Sequence, residues 1–500
     1  MIQPRNRIGL SSLAILLLFS GNAQAQDPSP PKPPPSADEP LRKELEELRA
    51  KQHDLERRLE ASEAREAHQA KEAKEQRLLN EAREIRLSNQ IREAQQTSTP
   101  PLVDTAVPRF RIGRDGFAFS SGDGKFELRL RAVLHFDGRV YVGSQSLPDT
   151  FVIRRARPFI EGTLFGLVDF RLMPDFAYGQ ATIADAYVEL HPWAWLRLRG
   201  GRFRVPIGLE WLQSDSMLSL VERSLVTDLV PWRDLGVMLW GDIADGTFCY
   251  QLGMFNGAPD SANGPDLDPQ STKDFVGRIF LRPLRRVAKA SWVNLGFGFA
   301  GSYGRVKGTA TATNLPSYRS TGQQPIFSYI TSTMTPDATT LPAGDRWRAS
   351  PQMYLYMGPV GLLAEYVLSA QHVERLGNGL DVVNQAWNLT ANFVLTLEHA
   401  SYDGVMPKHP VDFRHKAFGA FELTFRYSEL QLDPSVFPTF ADPSTSVRSA
   451  RELGGSLNWY MTEYVRVMFS FQHTDFVGGA AMGTDREPEN ALLARLQLSL

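Results

Sequence analysis

From Arg154 to Asp175 the chain changes character at every step. Arg155, Arg157, Glu161 and Thr163 fall on one parity, and Ala156, Ile160 and Leu164 on the other. Past Gly166, Val168, Phe170, Leu172, Pro174 and Phe176 alternate with Asp169, Arg171, Met173 and Asp175. A helix would scatter both sets around its circumference, whereas a strand places one set on each face. Arginine and aspartate spaced two apart need water, and the opposite face needs a core or hydrocarbon. A long succession of such strands is the signature of a membrane β-barrel with a wet lumen.

The pattern recurs. Phe126, Leu128, Leu130, Ala132, Leu134 and Phe136 oppose Glu127, Arg129, Arg131, His135 and Asp137, and the charged face continues through Asp185, Tyr187 and Glu189 to Arg197 and Arg199. Further strands are expected over 233–240, 248–255, 275–282, 292–303, 352–357, 361–367, 386–397, 418–429, 456–460, 464–473 and 491–500. With roughly 25 residues per strand and connection, the chain after about residue 109 suits an all-β transmembrane antiparallel barrel of about 16 strands. Long polar connections at 259–272, 305–345, 373–381, 434–448 and 478–489 are expected outside the cell, with short ones in the periplasm. Trp193, Trp195, Trp232, Trp240, Trp292, Tyr354, Tyr356, Trp459 and Tyr460 fall near expected strand ends, where aromatic girdles form. The last strand ends on Leu500 rather than on an aromatic residue.

Composition removes other classes. After the N-terminus no apolar run reaches the roughly 20 residues that a membrane helix needs. Net charge is −2, so no global field points to nucleic acid. Cys249 is the only cysteine and cannot form an internal disulfide; a packed or lipid-facing place in a strand is expected. The nine histidines are scattered, and no GxSxG, HExxH or metal-spaced Cys/His cluster occurs, so neither an enzyme nor a metal or cofactor is expected.

The first hundred residues read differently. Residues 1–25 have the positive start, apolar middle and Ala-Gln-Ala end of a secretory signal. Residues 26–40 form a proline-rich spacer. Over 41–96 there is neither glycine nor proline, and Leu41, Leu48 and Leu55 repeat at seven with Leu45 and Leu59 between them, which predicts a periplasmic coiled coil or a single solvated helix. Residues 97–108 are a linker, and 109–500 the barrel.

The blocks DAYVEL, GGRFRVPIGLE, LVERSL, VPWRDLGVMLWG and GMFNG follow one another in order and spacing. Together with YLYMGPVGLLAEYV, QAWNLTANFVLT, FELTFRYSEL and LNWYMTEYVRVMFSFQH downstream, they resemble the phosphate-selective porin O and P family of bacterial outer membranes. The resemblance implies an outer-membrane homotrimer, embedded in lipid, that passes small hydrophilic solutes by passive diffusion. It also implies that 208–231 folds back inside the barrel as a constriction loop, with Trp211, Leu212, Met217, Leu218, Leu220, Val221 and Leu225 against the wall and polar residues toward the passage. An outer helix packed on the rim is the other reading of that stretch.

Candidate pore-lining and anion-binding residues are Arg129, Arg131, Arg155, Arg157, Arg171, Arg197, Arg199, Arg202, Arg204, Arg223, Arg278 and Arg282, with Glu210, Asp215 and Glu222 in the loop. Permanently charged guanidinium forks suit oxyanions such as phosphate. The competing reading is that the arginines pair with Glu127, Glu161, Asp169, Asp175, Asp185 and Glu189 and brace the wall. The expected function is an anion-preferring porin, with phosphate or oxyanion selectivity as its finer form. The alternative is a structural tether whose barrel anchors a coiled coil reaching periplasmic or cell-wall partners.

Overall fold

The computed structural model describes residues 107–500 except 114–115, 144–147, 268–270, 287–292 and 333. The expected signal, spacer and coiled coil, and all but the end of the linker, lie outside the described residues. Twenty strands follow in order: β1 (Arg109–Gly113), β2 (Gly116–Ser120), β3 (Glu127–Tyr141), β4 (Thr150–Leu164), β5 (Val168–Asp175), β6 (Thr182–Trp193), β7 (Leu196–Arg204), β8 (Arg233–Ile243), β9 (Phe248–Phe255), β10 (Asp274–Leu281), β11 (Val293–Lys307), β12 (Ser317–Arg319), β13 (Pro325–Ser328), β14 (Leu341–Met357), β15 (Val360–Arg375), β16 (Asn378–Val394), β17 (Ala420–Gln431), β18 (Val447–Tyr460), β19 (Val465–Gly478) and β20 (Glu489–Ser499).

Strands β3 to β11 and β14 to β20 each pair with the next, and β20 pairs back onto β3, which closes a ring of sixteen antiparallel strands. Closure removes the free edges that an open sheet would expose. The first strand of the sheet begins at Arg109, and the closed ring begins at Glu127. The lower part of β3 pairs with β2 and the upper part with β20, so β2 continues the line of β20. Leu500 exchanges backbone hydrogen bonds with Ala132 at that junction. β1 pairs with β2 beyond the ring.

Parity decides what each face meets. Leu134, Phe136, Ile160, Val188, Leu198, Leu252 and Leu496 are exposed, while His135, Asp137, Glu161, Asp185, Glu189, Arg495 and Gln497 are buried. This is the reverse of a water-soluble core, and an apolar band of this extent suits hydrocarbon. The same rule corrects the aromatic expectation. Trp193 and Trp195 are exposed and stacked on each other at 5.3 Å, and Trp459 stacks on Phe421. Tyr354, Tyr356 and Tyr460 are instead buried, Trp232 stacks on Trp211 of the inward segment, and Trp240 donates to Glu189. Trp292 lies outside the described residues. Cys249 is buried in one cluster with Phe280 and Tyr354.

The connections also depart from expectation. Residues 373–381 are no long loop: β15 and β16 run on to a turn at Leu376 and Gly377, whose φ of 51° and 76° suits a tight hairpin. Conversely, 395–419 joins β16 to β17 at the end where the other described turns are short, and Ala400 and Val405 within it are buried. The middle of 305–345 is not a free outer loop. Tyr318, Ser320, Thr321, Ile326 and Phe327 are almost wholly buried. Their hairpin reaches β3 through Tyr141, whose hydroxyl donates to Gly322 O at 2.7 Å, and β16 through Asn384, which donates to the Tyr318 hydroxyl at 3.2 Å.

Candidate functional site

Between β7 and β8 the chain leaves the ring for 205–232, and nearly every residue there is buried. Buried backbone needs partners, and the wall supplies them from inward-facing polar side chains. The Glu365 carboxylate on β15 accepts from Leu209 N at 2.7 Å and Glu210 N at 3.1 Å, holding the start of a short helical turn (Leu209–Leu212). Ser470 on β19 accepts from Val221 N, Ser428 on β17 accepts from Leu225 N, and Asn458 on β18 donates to Ser219 O at 2.8 Å. From the other side, the Tyr402 hydroxyl donates to Leu209 O at 2.6 Å. The segment is therefore laced to the far wall from within, and the rim-helix reading is set aside.

The three loop carboxylates named from sequence are its anchors. Glu210 meets Arg426 of β17 at 3.3 Å and Asn388 of β16 at 3.2 Å. Glu222 meets Arg154 of β4 at 2.6 Å, Arg139 of β3 at 3.3 Å and Arg495 of β20 at 3.7 Å. Asp215 meets four guanidinium groups: Arg157 and Arg155 of β4, the latter at 3.3 Å, Arg204 of β7 at 2.9 Å and Arg223 of the segment itself at 2.5 Å. These cations hold the Asp215 carboxyl well below its usual range against the opposing effect of burial, and Arg154 does the same for Glu222. The expectation that apolar residues of the segment face the wall agrees with Val221, which clusters with Tyr141, Met468 and Leu493, but the polar residues do not simply face the passage. Glu210, Asp215 and Glu222 pair with arginines of the wall, and Asp215 and Glu222 border a cavity as well. Trp211, Leu225, Val226 and Leu229 pack in one cluster with Ile326 and Phe327 of the hairpin.

Two cavities flank the segment. One of about 200 Å³ lies toward the β12–β13 hairpin and is lined by Arg154, Arg155, Arg157, Arg223, Arg233 and Arg319, with Asp175, Asp215, Glu222 and Asp228. The other, of about 750 Å³, is lined by Arg131, Arg157, Arg171, Arg199, Arg204 and Arg233, with Asp185, Asp215 and Asp403. Arg157, Asp215 and Arg233 border both, so the neck lies there.

The remaining candidates divide. Arg129, Arg131 and Arg171 surround Glu161 at 3.9, 3.5 and 2.7 Å, and Arg197 and Arg199 flank Glu189 at 3.6 and 2.6 Å. In Arg131, Arg171 and Arg199, which border the larger cavity, pairing and lining therefore coincide. Arg278 donates to Gln352 and Gln251, and Arg282 pairs with Asp242 at 3.3 Å. Arg202 donates to Gly264 O and pairs with Asp266 of the connection after β9; it, Arg129, Arg197, Arg278 and Arg282 border neither of these two cavities.

Sequence reading missed Arg139, Arg154, Arg233, Arg346, Arg348, Arg426, Arg466 and Arg495. Arg426, Arg466 and Arg495 share parity with polar neighbours such as Thr424, Ser470 and Gln497, so the alternation already held the signal. Arg154 had none. A bulge pairs His135 with Arg155 but Phe136 with Ile153, and the skipped Arg154 turns inward beside Arg155.

Sixteen antiparallel strands closed around a charged interior and banded outside by apolar residues define a transmembrane β-barrel of the porin type. Residues 126–500 match the family described as phosphate-selective porin O and P, and the chain belongs to that family, which places it in the bacterial outer membrane. Among solved structures it is similar to an anion-selective porin from Comamonas acidovorans, at 11% identity and a TM-score of 0.47, covering 75% of this chain and 100% of that one. It is also similar to OprB of Pseudomonas putida, at 12% and 0.48, covering 76% and 95%. OmpT of Vibrio cholerae gives 9% and 0.46, covering 75% and 98%. A comparison with curated proteins finds no match.

Proposed function

We propose that this porin passes small hydrophilic solutes by passive diffusion and prefers anions, oxyanions included. The observation that carries the reading is the neck, where four guanidinium groups face the single carboxylate of Asp215. Asp175 also pairs with Arg157, at 2.7 Å, so two positive charges remain in excess in a narrow space with low-dielectric walls, which concentrates anions and excludes cations. The planar fork of arginine adds a geometric match to carboxylate and phosphate oxygens. The family resemblance extends the proposal to a homotrimer, which sedimentation in detergent checks. Reversal potentials across planar bilayers in asymmetric potassium chloride test the selectivity: the expected sign is that of chloride permeating faster than potassium, and the opposite sign overturns it. Partial block of chloride current by millimolar phosphate is expected if the neck holds oxyanions.

A further inference from the structure

The larger cavity offers more than charge. Across six neighbouring strands, β3 to β8, arginines alternate with aromatic rings on the inner face. Arg131 and Arg171 lie over Phe159 at 5.8 and 6.0 Å, Arg171 and Arg199 over Tyr187 at 5.8 and 4.2 Å, and Arg199 over Trp240 at 5.5 Å. The order follows from register, since Arg131 pairs opposite Phe159 on β4 and Arg171 opposite Tyr187 on β6.

We propose that this belt binds organic anions that carry an aromatic ring, single-ring carboxylates of the benzoate class. The inference rests on the anion-preferring reading above and adds the class of solute. A guanidinium stacked on a ring keeps its N–H groups in its own plane, so stacking consumes no hydrogen-bond donor. Glu161 and Glu189 engage some of these donors and hold the planes in place, and the Nε of Arg197, whose guanidinium lies over Trp240 at 4.7 Å, is buried without a hydrogen-bond partner. A carboxylate can then bind at the edge of a guanidinium while its ring continues the stack. Chloride, acetate and phosphate can use only the edge.

The neck is built otherwise. Arg204 and Arg223 spend their donors on Asp215 and on the carbonyls of Trp211 and Gln213, so they act by field rather than by contact. The belt arginines Arg131, Arg171 and Arg199 keep 28, 32 and 21% of their side chains exposed. The space of about 750 Å³ falls in the range of sites that hold small organic ligands.

The test is the chloride current of the full chain in planar bilayers, titrated separately with benzoate, acetate and phosphate. Half-block by benzoate is expected at about tenfold lower concentration than by acetate, the increment that two or three ring contacts supply. Tyr187→Leu and Phe159→Leu, which keep every charge and border the cavity, should each shrink the benzoate-to-acetate ratio about threefold. Equal block by benzoate and acetate in a channel that still prefers chloride over potassium overturns the inference and leaves the anion reading standing. A cation-preferring channel in which benzoate still outcompetes acetate overturns the anion reading alone. A ratio that neither variant moves also overturns the belt. If a variant fails to insert, equilibrium dialysis of labelled benzoate against detergent-solubilised wild type and the other variant reads the same site.

Discussion

Replacing Asp215 by Asn tests the neck most directly, because stability and selectivity should move in opposite senses. The carboxylate holds together four guanidinium groups on two wall strands and the inner segment. At an effective dielectric of about 20, each contact is worth about 4 kcal/mol of gross attraction at about 4 Å, set against mutual repulsion among the four cations. With the carboxylate gone the repulsion is offset only by Asp175 on Arg157, and removing one partner of a buried ion pair costs about 3–5 kcal/mol. Over a ring of this size that corresponds to a fall in unfolding temperature on the order of 5 °C. The same change leaves only Asp175, on Arg157, against the four cations, so the reversal potential should move further toward chloride. A solution anion can take the vacant place. Phosphate at a hundred times its Kd should restore about 2.7 kcal/mol, more than sodium chloride does at equal ionic strength. The assays are thermal unfolding by circular dichroism in detergent, with and without phosphate, and bilayer reversal potentials. A variant whose melting and selectivity both match the wild type would refute the reasoning, since the four contacts would then carry neither structure nor field.

Other outcomes follow from single observations. The buried carboxyl of Asp228 is pushed up to about 7 by loss of water, against the pull of the Ser261 hydroxyl at 2.8 Å. The folded state therefore holds a proton that the unfolded chain has lost, and stability falls by about 1.4 kcal/mol per pH unit as pH rises from about 4 to about 7, then levels. Hydrogen exchange over Leu225–Leu229, corrected for its intrinsic rate, should show that slope, and Asp228→Asn should flatten it. Glu222→Gln removes the carboxylate that Arg139 and Arg154 share, while Arg495 keeps Asp137, so single-channel conductance should rise and its noise increase as the segment loosens; an unchanged trace counts against the anchor. Leu376→Asn places Asn-Gly at a turn whose φ values are both positive and should stabilise the barrel by about 0.5–1 kcal/mol in thermal melts. Deleting residues 26–100 should leave bilayer conductance intact, whereas a chain that serves only as a tether has none to keep.

The alternation of charged and apolar residues determined the outline, because a strand has two faces and each position's chemistry chooses between lipid and lumen. It was enough for the ring of sixteen, for the outward band of Leu134, Phe136 and Leu198, and for the inward parity of Arg157, Arg171 and Arg199. The family blocks supplied the inward segment. Tertiary structure alone decided which charges meet. Asp137 and Arg495 stand 358 residues apart and join only because the last strand closes on β3, and Arg157 reaches Asp215 only because a connection turns inward. Arg154 escaped because one bulged residue changes parity without leaving a mark in composition. The hairpin of 317–328 was read as an outer loop because its polar residues look solvated, yet Tyr141, Thr474 and Glu489 satisfy them inside. Local pattern dictates which medium a side chain faces, and closure of the ring dictates which partner waits there.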